Sequence, residues 1–200
     1  MSGGIVVLIS GSGSNMEALI HSCEAGEVPG EVVAVVADRD CTGLKIAADR
    51  DIPTEVLEPK GFSSREEWSA ALAELVAAFS PDLVVSAGFM RILAPVFVER
   101  FSGKLINLHP SLLPAFPGAH AVRDALEAGV KATGTTVHFV DNEVDHGPII
   151  LQETVPVEPG DTEEELHERI KSLEHRMLPQ ACRLLLGGKA RLEGGRVRLT

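Results

Sequence analysis

The sequence predicts an α/β protein: one doubly wound, mostly parallel sheet with an antiparallel extension and a long C-terminal helix. Three observations carry this expectation. Short β-branched runs alternate with helical patterns through the first half, the spacing of a parallel sheet with crossover helices. Two later segments, Thr133–Val140 and Pro148–Val155, read as strands, the first with one wet face, and an acidic loop joins them. Thr162 with Glu163–Glu165 then opens a helical pattern to about Leu186, where Gly187 and Gly188 stop it.

Taken in order, Gly4–Ser10 is a continuous apolar run, as in a strand buried on both faces. The loop Gly11–Asn15 (GSGSN) follows, then a helical pattern through about Ala25. Val32–Ala37 is a second strand and Leu44–Arg50 a second helix, with a short strand at Thr54–Leu57. Ser63 and Ser64 ahead of Glu66 and Glu67 form a capped helix start, and apolar spacing continues to Phe79. Pro81–Ser86 and Lys104–His109 are the fourth and fifth strands. A tail hairpin is expected around Gly194-Gly195.

Composition bounds the function. The 200 residues fit one domain, and 44% apolar with 24% charged residues are ordinary globular values. A net charge of −11 argues against nucleic acid or an anionic membrane as partner, and an anionic substrate would need a locally positive site. Three cysteines without metal or CxxC spacing point to a reducing, cytoplasmic compartment. Neither a signal peptide nor a membrane span is expected. No HExxH, CxxC or aspartate cluster suggests a metal, and His167 and His175 stand too far apart on one helix to share an ion.

The stretch Lys104–Gly118 (KLINLHPSLLPAFPG) is the most informative. Strand alternation puts Leu105, Asn107 and His109 on one face and Ile106 and Leu108 on the other. Pro110 ends the strand just after His109. An amide and an imidazole thus leave a strand end together, where α/β sheets bind ligands, and such a donor pair can hold a developing oxyanion. A satisfied core amide beside a surface histidine fits the stretch equally well.

The GSGSN loop offers free N–H groups at a helix start, a site for phosphate or carboxylate, or a tight turn with a Ser/Asn cap. It lacks the third glycine of a dinucleotide fingerprint, since position 16 is Met16, and it lacks GK[ST]. Asp38 falls where a ribose-binding acid might stand. Ser86–Leu93 (SAGFMRIL) sets Met90, Ile92 and Leu93 around Arg91, suited to a flat heterocycle carrying a carboxylate or to a core-packed turn. Asp145 could reach back to orient His109, or sit in a solvated acidic turn. His138 suits core and near-site placement alike.

Together, ISGSGSN, AGFMRILAP, INLHPSLLPAFPG, GTTVHFV and VDHGPII, in this order, resemble the folate-dependent formyltransferases over nearly the whole chain. The GSGSN loop, the compact length and the Glu174–His175 pair resemble the branch acting on phosphoribosylglycinamide. Ser86 and His146 depart from some members. The resemblance implies one formyltransferase domain over 1–200, with 1–103 mainly the phosphate-substrate half and 104–200 mainly the folate and catalytic half. It implies formyl transfer from 10-formyltetrahydrofolate to the primary amine of phosphoribosylglycinamide in purine biosynthesis, without a metal. Asn107, His109 and Asp145 would be catalytic; Gly13, Ser14, Asn15 and Glu174 would bind the phosphosugar substrate. Arg65, Met90, Arg91, Ile92, Leu93, Val140, Asp141, Asn107 and Asp145 would form the folate site. Only small-molecule partners are expected, in a monomer or homodimer. The alternatives are a 10-formyltetrahydrofolate hydrolase and a non-catalytic phosphosugar- or nucleotide-binding module.

Overall fold

β1 (Gly3–Ile9) runs through the middle of the molecule because both of its faces are apolar. Ile5, Val7 and Ile9 point into one core layer, and Val6 and Leu8 into the other. The computed structural model describes residues 2–200. Its elements follow as α1 (Ser14–Glu24), β2 (Gly30–Ala37), α2 (Thr42–Ala48), β3 (Thr54–Val56), α3 (Arg65–Ala77), β4 (Leu83–Ser86), α4 (Pro95–Arg100), β5 (Leu105–His109) and α5 (Ala121–Glu127). Then come β6 (Ala132–Phe139), β7 (Ile149–Pro156), α6 (Glu163–Leu186) and the hairpin β8 (Ala190–Glu193) with β9 (Arg196–Leu199).

Seven strands form one sheet in the order β3-β2-β1-β4-β5-β6-β7. The first five are parallel; β6 runs antiparallel to both β5 and β7. Residues of α1, α2, α5 and α6 complete the core on the Ile5 side, while α3 and α4 cover the Val6 side. This is the doubly wound arrangement expected, with its antiparallel extension. The long helix begins at a capping box in which the Thr162 hydroxyl accepts from the Glu165 N–H.

Two helices stand where no helix was expected. α4 starts with Pro95 at its first turn, and α5 spans only seven residues. Neither is long enough for a clear apolar period; packing against the sheet sustains both. The GSGSN turn is capped by Gly13 itself, with no Ser or Asn side chain bonded to the helix start.

Strand order reverses between β1 and β4, so the loops leaving their C-terminal ends diverge and open a crevice there, a place where α/β sheets bind ligands. The GSGSN loop, the Ala87–Leu93 segment and the end of β5 all lie along that edge. Among the described residues no helix is long and apolar enough to cross a membrane.

The β6–β7 pair leaves no room at Gly134. A Cβ there would lie 2.0 Å from the Glu153 carbonyl oxygen and 2.7 Å from a Leu112 methyl. Backbone cannot step aside as a flexible side chain can, so Gly134→Ala should lower the unfolding free energy by about 1–3 kcal/mol, read from urea denaturation. An unchanged midpoint would show that the strand pair is looser than described.

Candidate active site

β5 delivers the amide and imidazole as its alternation requires. Ile106 and Leu108 enter the core beside α1 and α6, which turns Asn107 and His109 to the other face. β6 lies antiparallel with Asn107 opposite His138 and His109 opposite Thr136. The chain then leaves His109 into the proline-rich loop, which folds back over this face. Thr136 pins that loop, its hydroxyl donating to the Ser111 carbonyl (2.7 Å) and accepting from the Leu113 N–H (3.2 Å).

Asp145 closes the cluster from the loop between β6 and β7. Its Oδ2 accepts the Gly118 N–H at 2.8 Å and lies 3.4 Å from His109 Nδ1. Its Oδ1 accepts from Asn107 Nδ2 at 3.4 Å and stands 3.8 Å from His138 Nε2. Asp145 adopts φ +53°, left-handed backbone that a non-glycine residue enters at a cost, which these contacts offset. The acid therefore reaches back to His109 and does not form a solvated turn.

The ring of His109 is only 4% exposed, and its Nε2 lies 2.8 Å from the carbonyl of Phe116. A carbonyl can only accept, so Nε2 carries hydrogen, and Nδ1, facing Asp145, is the nitrogen that gains or loses a proton. His138 is oriented in the same way. Its Nδ1 donates to the Phe139 carbonyl (2.9 Å), which leaves Nε2 as an acceptor for Asn107 Nδ2 at 3.3 Å. Burial pushes the pKa of His138 down and keeps the ring neutral. Asn107 thus aims its two N–H bonds at His138 and Asp145, both through long contacts that a better acceptor could take over.

The GSGSN loop sits beside this cluster. Gly13 has φ +74°, and a Cβ would meet Gly43 Cα at 2.8 Å, so only glycine fits the turn. The first intrahelical bond runs from Glu17 N–H to Gly13, which leaves the N–H groups of Ser14, Asn15 and Met16 outside the helical ladder. Asn15 Nδ2 donates to Glu174 at 2.9 Å, while Asn15 Oδ1 is buried with no partner. Glu174, 4% exposed, also accepts from Thr135, whose hydroxyl lies 3.0 Å from the His109 carbonyl. One carboxylate therefore ties the GSGSN loop to β6.

A cleft of about 500 Å³ opens between the start of α3 and the loop after β4, lined by Phe62, Trp68, Met90 and Ile92 with Arg65 and Arg91. Met90 and Ile92 are 60% and 58% exposed and stand together on its wall. Leu93 and Val140, also expected at the folate site, are half-buried and pack against the core on the α3–α4 side. Asp141 bonds His146 (2.9 Å) and the Glu143 N–H, as an acidic turn does. The cleft draws on residues 59–92. A second cleft of about 410 Å³ between the end of α1 and the middle of α6 holds none of the Asn107–His109–Asp145 cluster.

Sequence reasoning missed Thr135, which acts through its hydroxyl, and Phe116 and Gly118, whose roles run through backbone groups that no motif records. Phe62 and Trp68 were likewise passed over. The pairing of Asn107 with His138 was recoverable from strand alternation once β6 is laid antiparallel to β5. Among the described residues no three His, Cys, Asp or Glu side chains are grouped to hold a metal ion.

Comparison with known proteins agrees with this geometry. Residues 4–182 match the formyl transferase family. A phosphoribosylglycinamide formyltransferase from Mycobacterium tuberculosis is 51% identical over 90% of this chain and 84% of its own. One from Escherichia coli is 44% identical over 94% and 89%. The crystal structure of glycinamide ribonucleotide transformylase 1 from Symbiobacterium toebii superposes with a TM-score of 0.96 at 48% identity, covering 99% of this chain and 94% of that one. Sequence, fold and relatives thus converge: this chain belongs to the formyl transferase family and, within it, to the phosphoribosylglycinamide formyltransferases.

Proposed function

We propose that the chain transfers the formyl group of 10-formyltetrahydrofolate to the primary amine of phosphoribosylglycinamide, and that Asn107, His109 and Asp145 carry the chemistry. The convergence of these three side chains from two separate segments is the observation that supports the reading most. The amine attacks the formyl carbon directly, and the carbonyl π electrons move to oxygen. Asn107 Nδ2–H and protonated His109 Nδ1–H donate to that oxyanion, each such donor typically lowering the barrier by a few kcal/mol. The Phe116 carbonyl and the Asp145 carboxylate flank the ring and fix its orientation.

The carbon–nitrogen bond to the folate then breaks as the carbonyl re-forms. The attacking nitrogen gives up a proton and the departing folate nitrogen gains one. His109 Nδ1 or an ordered water carries that proton, since Nδ1 is the ring nitrogen free to exchange it. No covalent enzyme intermediate is required. The N–H groups of residues 13–15 would hold the substrate phosphate at the start of α1, where the helix end favours an anion despite the net charge of −11. Asn15 Oδ1, buried and unpartnered, would accept from a ribose hydroxyl or the amine end, with Glu174 setting the amide's orientation.

Apolar walls and two guanidinium groups make the 500 Å³ cleft fit a pterin–benzoyl ligand ending in a carboxylate. Arg65, Met90, Arg91 and Ile92 line it; Val140 and Asp141 lead into the Asp145 loop, and Leu93 backs the wall from the core. The first half of the chain thus supplies the phosphate loop and this cleft, the second half the reacting groups.

Tetrahydrofolate release should require phosphoribosylglycinamide. Release without the acceptor would indicate a hydrolase, and none in either case a binding module. His109→Ala and Asp145→Asn should each lower kcat by at least about a hundredfold with modest change in ligand affinity; near-normal turnover would contradict the mechanism.

A pH prediction follows from His138. Its folded pKa lies below 6.5, so between those values the unfolded chain binds the extra proton and stability rises with pH. The unfolding free energy of the wild type minus that of His138→Gln should therefore increase from about pH 5 to about pH 7, by at most about 1.4 kcal/mol per unit. A flat difference would mean that the ring is not held neutral.

A further inference from the structure

Asp38 is left over by the chemistry above, yet it is among the most completely enclosed charged groups in the chain. It ends β2 with its side chain fully shielded from solvent and takes Arg91 Nε at 2.6 Å and Arg39 Nη2 at 2.9 Å. The Ser10 hydroxyl, at the end of β1, accepts the Met90 N–H at 2.8 Å and helps to lower the Asp38 pKa. The carboxylate therefore grips the loop after β4 directly through the Arg91 side chain, beside the hydroxyl that holds the Met90 backbone. Burial raises the Asp38 pKa, but the hydrogen bonds from Arg39, Ser10 and Arg91 outweigh it and bring the value down to about 2, so the grip stays charged at any working pH.

The geometry leaves Arg91 in a particular state. Its Nε is taken, while its terminal nitrogens bond nothing among the described residues and the residue lines the cleft beside Arg65. Two guanidinium groups share the single charge of Asp38, so the cluster keeps a net positive charge on a chain of −11. A guanidinium held by Nε presents its outer edge as a planar fork that fits a carboxylate.

We propose that Asp38 is the positioning residue of the cleft: it holds the Met90–Arg91 segment so that the free edge of Arg91 is set to receive the tail carboxylate of the folate donor. The proposal rests on the folate reading of the cleft. Arg39 shares the carboxylate and adds charge, but it is not needed to orient Arg91.

Steady-state kinetics with two formyl donors test this, one carrying the glutamate tail and one cut back to the benzoate. Asp38→Ala should raise KM for the glutamyl donor by about tenfold, the loss of one well-placed charged contact, and leave kcat within about twofold. KM for the truncated donor should stay unchanged. Asp38→Asn, which keeps the shape and one acceptor oxygen, should fall between. Adding Asp38→Ala to Arg91→Ala should cost nothing further, because the first acts through the second. Equal rises in KM for both donors would make Asp38 a merely structural support and overturn the proposal. So would an effect of Arg91→Ala without one of Asp38→Ala, which leaves the folate reading standing. No effect of Arg91→Ala on the glutamyl donor would overturn both.

Discussion

The Asp145 carboxylate is the junction on which the site depends. It accepts an N–H from Gly118 in the proline-rich loop, takes the Asn107 amide and faces the His109 ring. Three chain segments are held together by its two oxygen atoms. The residue adopts left-handed backbone to do so, and that strain is tolerable only because the surrounding contacts over-determine its position. Such a junction preorganises donors for charge that develops later, which is worth more than contacts made to the resting substrate.

Around it, carbonyl groups do much of the assignment. The Phe116 carbonyl fixes the hydrogen on His109 Nε2, and the Phe139 carbonyl fixes that on His138 Nδ1. Each ring is thereby given one committed and one available nitrogen, and the two available nitrogens face the same carboxylate. The charge distribution follows a similar economy. On the proposed reading, an acidic chain would meet its two anionic ligands with backbone N–H groups at the start of α1 and guanidinium groups at the cleft, both short in range under physiological screening. Asp38 belongs to this scheme, as an acid that sharpens the aim of a base.

Much of the fold was legible in the sequence. β1, β2 and β4 announce themselves as continuous apolar runs, and the capping box at Thr162 marks where the long helix begins. α4 and α5 were not legible, because six or seven residues give too little period and tertiary packing decides their state. In the site, the Asn107–His109 pair could be read from alternation along one strand, and the meeting with Asp145 only from resemblance, since nothing local brings residues 38 positions apart together. For Leu93, Val140 and Asp141, proximity in sequence to Arg91 and Asp145 does not say which way a side chain turns. Asp38 looked like a ribose acid by its place after β2. Its partner is an arginine 53 residues further on, invisible until β2 and β4 both flank β1.

The central claim is that Asp145 and His109 act as one unit, and a double-mutant cycle on kcat/KM measures this most directly. With His109→Ala, Asp145→Asn and the double variant assayed under acceptor-dependent conditions, the account predicts that the double variant loses no more than about threefold beyond the weaker single variant. Losses that multiply would show two independent groups, and would contradict the account.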